Sequence, residues 1–171
     1  MANRIVEWIL GLFAGITGSV FGKYALIFLI SLMPILELRG GLIAASLLDV
    51  SPLQAFLVCL GANILIIPFV LFLIETILKL LSRIKKLGEL IERFKNKVLK
   101  KKSTIEKYGY LGIMLFVAIP LPGSGAWTGC FLAVLLGLDK KKSFLAALLG
   151  VFIAGVIMMI FSYGILKGII G

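Results

Sequence analysis

Long runs of apolar residues make up most of this chain, and the polar residues are gathered into short stretches between them. Five apolar runs are found at residues 5–22, 24–48, 53–81, 108–138 and 144–170. About 20 helical residues cross the ~30 Å hydrocarbon core of a bilayer, so each run has about the length of a membrane helix. The pattern predicts an all-α integral membrane protein with a single domain over residues 1–171.

Two of the runs are interrupted near their middle by residues that break helices. The run 24–48 contains Pro34 and a Gly-Gly pair at 40–41, and the run 108–138 contains PLPGSGAWTG at 120–129. Proline lacks a backbone donor, and glycine permits sharp turns. Each arm then has about ten residues and about 15 Å of length, half of the hydrocarbon core. Both runs are predicted to be re-entrant helical hairpins, whereas 53–81 and 144–170 are predicted to be transmembrane helices.

The positions of the basic residues support this topology. Ten of the 18 Lys and Arg residues lie between 83 and 107, and three more are at 140–142. Positively charged loops stay on the cytoplasmic side, and both loops do so only if the run 108–138 enters the membrane and returns. The net charge of +10 is thereby explained without nucleic acid. The linker 82–107 is predicted to be a basic amphipathic helix on the cytoplasmic membrane surface.

The two halves of the chain have the same order of elements, which predicts an inverted repeat. Each half has a broken run, a short turn near an aspartate and a spanning helix, and the two halves enter from opposite sides. Interrupted segments at corresponding positions are typical of a transporter's binding site. The first run, 5–22, has glycines at 11, 15, 18 and 22. The run is either a helix packed against another helix or a helix at the membrane–water interface. The close spacing of its glycines would also allow a homodimer.

Few residues of the chain are suited to enzyme chemistry. There is no histidine, the eight Asp and Glu residues are scattered singly, and the two cysteines lie within apolar runs. Catalytic acid–base pairs and metal sites need such groups close together. We therefore expect neither an enzyme nor a bound metal or cofactor.

The hairpin tips carry the charged residues of greatest interest, Glu37 and Arg39, the only charges between Lys23 and Asp49. Ionisable groups at membrane depth cost about 2.5–3.5 kcal/mol or more, and they usually line a substrate path. Arg39 together with helix N-termini would bind phosphate or carboxylate. An internal ion pair that holds the hairpin is the alternative. The predicted substrate-binding residues are Glu37, Arg39, Gly40, Gly41, Pro120, Pro122, Gly123, Ser124, Gly125, Trp127 and Thr128. Glu37 is also the predicted proton-coupling residue, because it is the only carboxylate expected at the midplane.

The segments ELRGG at 37–41 and PLPGSGAWTG at 120–129 resemble the signature blocks of the prokaryotic "putative small multi-drug export protein" family. That family is similar in its two re-entrant hairpins to the DedA/VTT superfamily. The resemblance implies the cytoplasmic membrane of a prokaryote and a role like that of DedA proteins, which are implicated in returning undecaprenyl phosphate across the membrane. Glu37 and Arg39 match their hairpin acid and arginine, but the second hairpin has neither.

We therefore expect a transporter of an anionic lipid such as undecaprenyl phosphate, with ion coupling and with membrane lipid as its surroundings. The alternatives are a proton-coupled exporter of small drugs and a membrane scaffold that transports nothing. A cavity at the tips that is open to lipid would favour a lipid substrate, whereas a cavity that is open only to water would favour a soluble solute. The absence of a cavity would favour the scaffold.

Overall fold

A computed structural model describes residues 18–81, 102–121 and 123–166 and the single positions 8, 11 and 15. These ranges contain helices and no strand, which confirms the all-α prediction. The helices are α1 (Val20–Leu32), α2 (Glu37–Leu47), α3 (Pro52–Leu81), α4 (Lys102–Ala118), α5 (Ala126–Leu135) and α6 (Lys140–Met159), which continues as a π-helical segment (Ile160–Leu166). Most of the predicted N-terminal helix 5–22 and of the linker 82–107 lies outside the described residues, so both stay predictions.

The first broken run folds into a pair of antiparallel helices. Helix α1 begins at a Ser19 cap, whose hydroxyl accepts a hydrogen bond from the Gly22 N–H at 3.0 Å. It ends just before Pro34, and residues 33–36 form the turn. Helix α2 then packs along α1 so closely that a Cβ at Gly41 would lie 3.3 Å from the Ile27 carbonyl oxygen. At the far end Lys23 donates to the Leu48 carbonyl at 2.8 Å, which closes the hairpin.

The second broken run has the same form. Residues 119–125 separate α4 from α5. Gly123 in this turn has a φ of +83°, a backbone conformation that favours glycine. Side-chain contacts join the two arms, since Gly129 of α5 lies directly against Val117 of α4. At the open end of this hairpin the Tyr110 hydroxyl accepts a hydrogen bond from the Asp139 N–H at 3.1 Å.

Helices α3 and α6 are the two long helices of the described part and hold the hairpins together. The segments Pro52–Ile77 and Lys140–Gly164 are long and apolar enough to cross a membrane. They run antiparallel: the rings of Phe56 and Phe152 meet edge to face at 5.6 Å, and Lys140 at the start of α6 pairs with Glu75 near the end of α3. Helix α4 crosses α6 at Gly150, where a Cβ would lie only 2.6 Å from the Met114 carbonyl oxygen.

Large apolar side chains cover much of the outer surface. Phe21, Ile35 and Leu53, for example, are 83%, 79% and 67% exposed. Such a surface is unfavourable in water and is typical of a protein surrounded by lipid. The chain is therefore a membrane protein, while the depth of the hairpins in the bilayer and the inverted repeat stay predictions.

Candidate functional site

Glu37 of the first hairpin binds the N-terminus of the second hairpin's returning helix. It is the first residue of α2, with a φ of +48°. Its two carboxylate oxygens accept hydrogen bonds from the N–H groups of Ala126 and Trp127, each at 3.0 Å. Helix α5 has no side-chain cap from its own N-cap residue, Gly125. Glu37 therefore supplies the missing acceptor, and its negative charge meets the positive end of the helix dipole.

Arg39 binds the other broken end of the same hairpin. Its guanidinium donates to the Val117 carbonyl in the last turn of α4 at 3.3 Å and to the Ile119 carbonyl just after that turn at 3.0 Å. It also contacts the carbonyls of Leu121 and Ser124. The Val117 carbonyl has no partner within the helix, and a cation is favourable at the negative end of a helix dipole. Glu37 thus binds the positive N-terminal end of α5, and Arg39 binds the negative C-terminal end of α4.

Two further residues in the second turn make this arrangement possible. The Ser124 hydroxyl donates to the Ile119 carbonyl at 2.7 Å and accepts from the Leu121 N–H at 3.3 Å, so it fixes the shape of the turn. A Cβ at Gly125 would lie 2.7 Å from one carboxylate oxygen of Glu37 and even closer to the other. Only glycine therefore leaves room for the carboxylate to reach α5.

Trp127 also connects the two hairpins, but here a side chain of the second hairpin binds a helix end of the first. Its indole N–H donates to the Leu32 carbonyl, the last of α1, at 3.2 Å. The carbonyl at the end of α1 is thereby hydrogen-bonded by a residue of the second hairpin, just as the helix ends on both sides of the second break are bonded by residues of the first. This contact gives Trp127 a part in holding the two hairpins together.

The other predicted site residues lie around this contact. Gly40 packs inside the first hairpin, where a Cβ would be 3.3 Å from the side chain of Ile30, and Gly41 faces α1. Pro120 and Thr128 are half-buried at the second break, Gly123 is exposed in its turn, and Pro122 lies outside the described residues. The structure thus brings Glu37, Arg39, Ser124, Gly125 and Trp127 together; their roles in substrate binding stay predictions.

Sequence reasoning missed Asn63, a fully buried residue of α3 beside the tips. Its amide donates to the carbonyls of Ser31 at 3.3 Å and Cys59 at 3.1 Å, while its carbonyl oxygen has no partner among the described residues. The signal was available in principle, because a single asparagine interrupts the long apolar run 53–81. A buried amide in such a place usually has a specific partner.

A small cavity lies between these groups. Its lining includes Glu37, Arg39 and Asn63 together with Val117 and Val151, and its volume is about 10 Å³. That is about enough for one water molecule. The tips are therefore in a closed arrangement, in which the N–H groups of α5 bind the protein's own carboxylate.

Comparison with known proteins identifies one family. A family model described as "Putative small multi-drug export protein" matches residues 37–157, a span that begins at Glu37 and includes the whole second hairpin. No curated protein and no solved structure matches the chain significantly.

Proposed function

The chain belongs to the small multi-drug export protein family, whose model covers well over half of it, and we propose that it transports an anionic lipid such as undecaprenyl phosphate. The family membership supports the general class of membrane transporter. The geometry at the hairpin tips supports an anion as the substrate. The lipid character follows from the apolar outer surface, through which a substrate with an apolar tail can approach.

The observation that carries the proposal is the carboxylate on the N-terminus of α5. Two adjacent N–H groups, those of Ala126 and Trp127, bind both oxygens of Glu37 at 3.0 Å. Phosphate oxygens are bound at helix N-termini by the same groups and the same dipole. The N-terminus of α5 thus binds an anion of the protein itself, which supports the proposal that it can bind an anionic substrate. A substrate can enter only if Glu37 leaves, since the neighbouring cavity holds about one water.

Protonation of Glu37 provides a way for this exchange to occur. A neutral carboxyl group loses its attraction to the helix dipole, so the two N–H groups become available to a substrate phosphate. The guanidinium of Arg39, which lies against the end of α4, keeps a positive charge beside the position that Glu37 has left. Substrate binding and protonation of Glu37 would then favour each other by the same free energy. The proposal is therefore exchange of an intramolecular anion for a substrate anion, linked to one proton.

Two other functions have an observation in their favour. The family description favours export of small drugs, and a cationic drug would bind the Glu37 carboxylate once it leaves α5. The closed tips favour a scaffold that transports nothing. The three functions differ in what they need: an anionic lipid needs Arg39 and the N–H groups of α5, a cationic drug needs only Glu37, and a scaffold needs neither to move.

Transport in proteoliposomes tests the proposal. The substrate is a fluorescent short-chain polyprenyl phosphate, measured with and without an imposed pH gradient. We expect the parent protein to respond to the gradient, and Glu37→Gln to transport without responding to it. Arg39→Lys should lose transport, because an ammonium group cannot reproduce the planar donors of a guanidinium. Gly112→Ala serves as the control, since Gly112 lies on α4 with open space around it.

The results also separate the alternatives. Transport of a cationic dye instead of the lipid, abolished by Glu37→Gln and retained by Arg39→Lys, would establish drug export. Transport of neither compound by a folded parent protein would leave the scaffold. A Glu37→Gln protein that follows the gradient like the parent would remove the proposed role of Glu37 in coupling.

A further inference from the structure

An open groove lies between α3 and α6, at a distance from the hairpin tips. Its volume is about 360 Å³, and its walls are formed by Pro68, Leu71 and Phe72 of α3 and by Phe144 and Leu145 of α6. The tip cavity is lined by Val151 and Ala154 of the same helix α6, two to three turns further along it. At ~1.5 Å per residue the two sites are about 15 Å apart along the axis of α6.

Among the described residues that line the groove, the charged ones are Lys140 and Lys141. The ammonium group of Lys140 pairs with Glu75 and lies 4.5 Å from the centre of the Phe72 ring, so it is held at the mouth of the groove. Lys141 is exposed to the surroundings. Both lysines occupy the first turn of α6, where the helix dipole adds positive potential.

We infer that this groove binds an anionic phospholipid of the surrounding membrane, with an acyl chain between α3 and α6 and the phosphate at Lys141, next to Lys140, whose charge is paired with Glu75. A free anion would leave the apolar walls uncovered, and an uncharged lipid would make no use of Lys141. The volume is at the lower end of the range for ligand pockets, ~300–1,000 Å³. The charges also fit the predicted topology, since residues 140–142 are expected on the cytoplasmic side, where anionic lipids attract basic residues. The inference does not rest on the proposed function, because the bound lipid need not be transported.

Native mass spectrometry of the full-length protein in detergent measures this binding. The probes are phosphatidylglycerol and phosphatidylcholine with identical acyl chains. We expect tighter binding of phosphatidylglycerol. Lys141→Gln should weaken it about fivefold, the effect of one basic residue near an anionic lipid. Lys142→Gln is the matched control, because the Lys142 ammonium lies 5.8 Å from the centre of the Tyr110 ring and does not line the groove. It should change the affinity less than twofold.

A second pair of variants tests the apolar part of the groove. Leu145→Trp should fill the groove and reduce phosphatidylglycerol binding at least tenfold, whereas Leu149→Trp, one turn further along α6, should leave it unchanged. The two leucines are 57% and 54% exposed, so both variants should fold. Equal binding of the two lipids, or equal behaviour of the two tryptophan variants, would overturn the inference. If glycerol phosphate competed as effectively as the whole lipid, the inference would also be overturned, since the apolar walls of the groove would then contribute nothing to binding.

Discussion

Replacement of Gly125 by alanine tests the contact between the hairpins most directly. The added Cβ would lie 2.5 Å from the carboxylate carbon of Glu37 and 2.7 Å from one of its oxygens. Non-bonded atoms do not approach so closely, so the carboxylate must move away from α5. The N–H groups of Ala126 and Trp127 would then lose their acceptor in a buried place.

The size of the effect follows from these two hydrogen bonds. A hydrogen bond to a charged group contributes about 1.5–3 kcal/mol. The backbone of Gly125 is extended, so alanine can adopt its conformation and should stabilise the folded state by about 0.4–1 kcal/mol through the unfolded chain. The net loss in the free energy of unfolding should be about 0.5–2.6 kcal/mol if one bond is lost and about 2–5.6 kcal/mol if both are lost.

Thermal unfolding in detergent measures this loss. Cys59 and Cys130, the two cysteines of the chain, are buried and free, so a thiol-reactive fluorophore reports unfolding without any introduced cysteine. Gly112→Ala is the control: alanine meets no atom there, and it should raise stability by up to about 1 kcal/mol because it is the better helix former. The two glycine-to-alanine changes should therefore shift Tm in opposite directions.

Two results would refute this reasoning. One is a Gly125→Ala protein that is as stable as Gly112→Ala. The other is a Gly125→Ala change that costs as much in a Glu37→Ala background as in the parent, because neighbouring residues that share an interaction should not be additive.

Three further predictions concern the rest of the fold. In a cysteine-free background, cysteines at Ser51 and Lys141 should react with an impermeant thiol reagent from opposite faces, since α3 and α6 run antiparallel; labelling from one face would contradict this. Gly150→Ala should lower stability by about 1–3 kcal/mol, because its Cβ would meet a carbonyl oxygen of α4 at 2.6 Å, and an unchanged Tm would show that the crossing relaxes freely. Tyr163→Phe removes a 2.8 Å hydrogen bond to the Val50 carbonyl and should cost about 0.5–1.5 kcal/mol in the same assay.

The apolar runs of the sequence predict where the helices lie better than they predict the residues at which the helices begin. The run 53–81 nearly coincides with α3, but α4 begins at Lys102 within a basic stretch, and α6 begins at Lys140. The start of α6 is set by Asp139, whose side chain accepts a hydrogen bond from the Lys142 N–H at 3.0 Å. Hydropathy marks the part of a helix that is suited to lipid, whereas caps and polar turns determine its ends.

The sequence also drew attention to Glu37 and Arg39 but not to their partners. Charged residues in an apolar run are conspicuous, so their importance could be predicted. Their partners are N–H and C=O groups of the second hairpin, and every residue carries such groups. The break between α4 and α5 leaves these particular groups outside the hydrogen bonds of a helix, and the fold places them opposite Glu37 and Arg39. Contacts of this kind therefore cannot be derived from residue types.

The pairing of charges in one hairpin with helix ends in the other bears on how the protein is made. Glu37 and Arg39 are synthesised 78 to 90 residues before the groups that they bind. At ~5–20 residues per second, several seconds pass in which a nascent chain carries both charges without their final partners. Ionisable groups are costly in lipid, so the first hairpin should stay at the translocon or at the membrane surface until the second hairpin emerges. Membrane insertion of the first half would then be completed only by synthesis of the second.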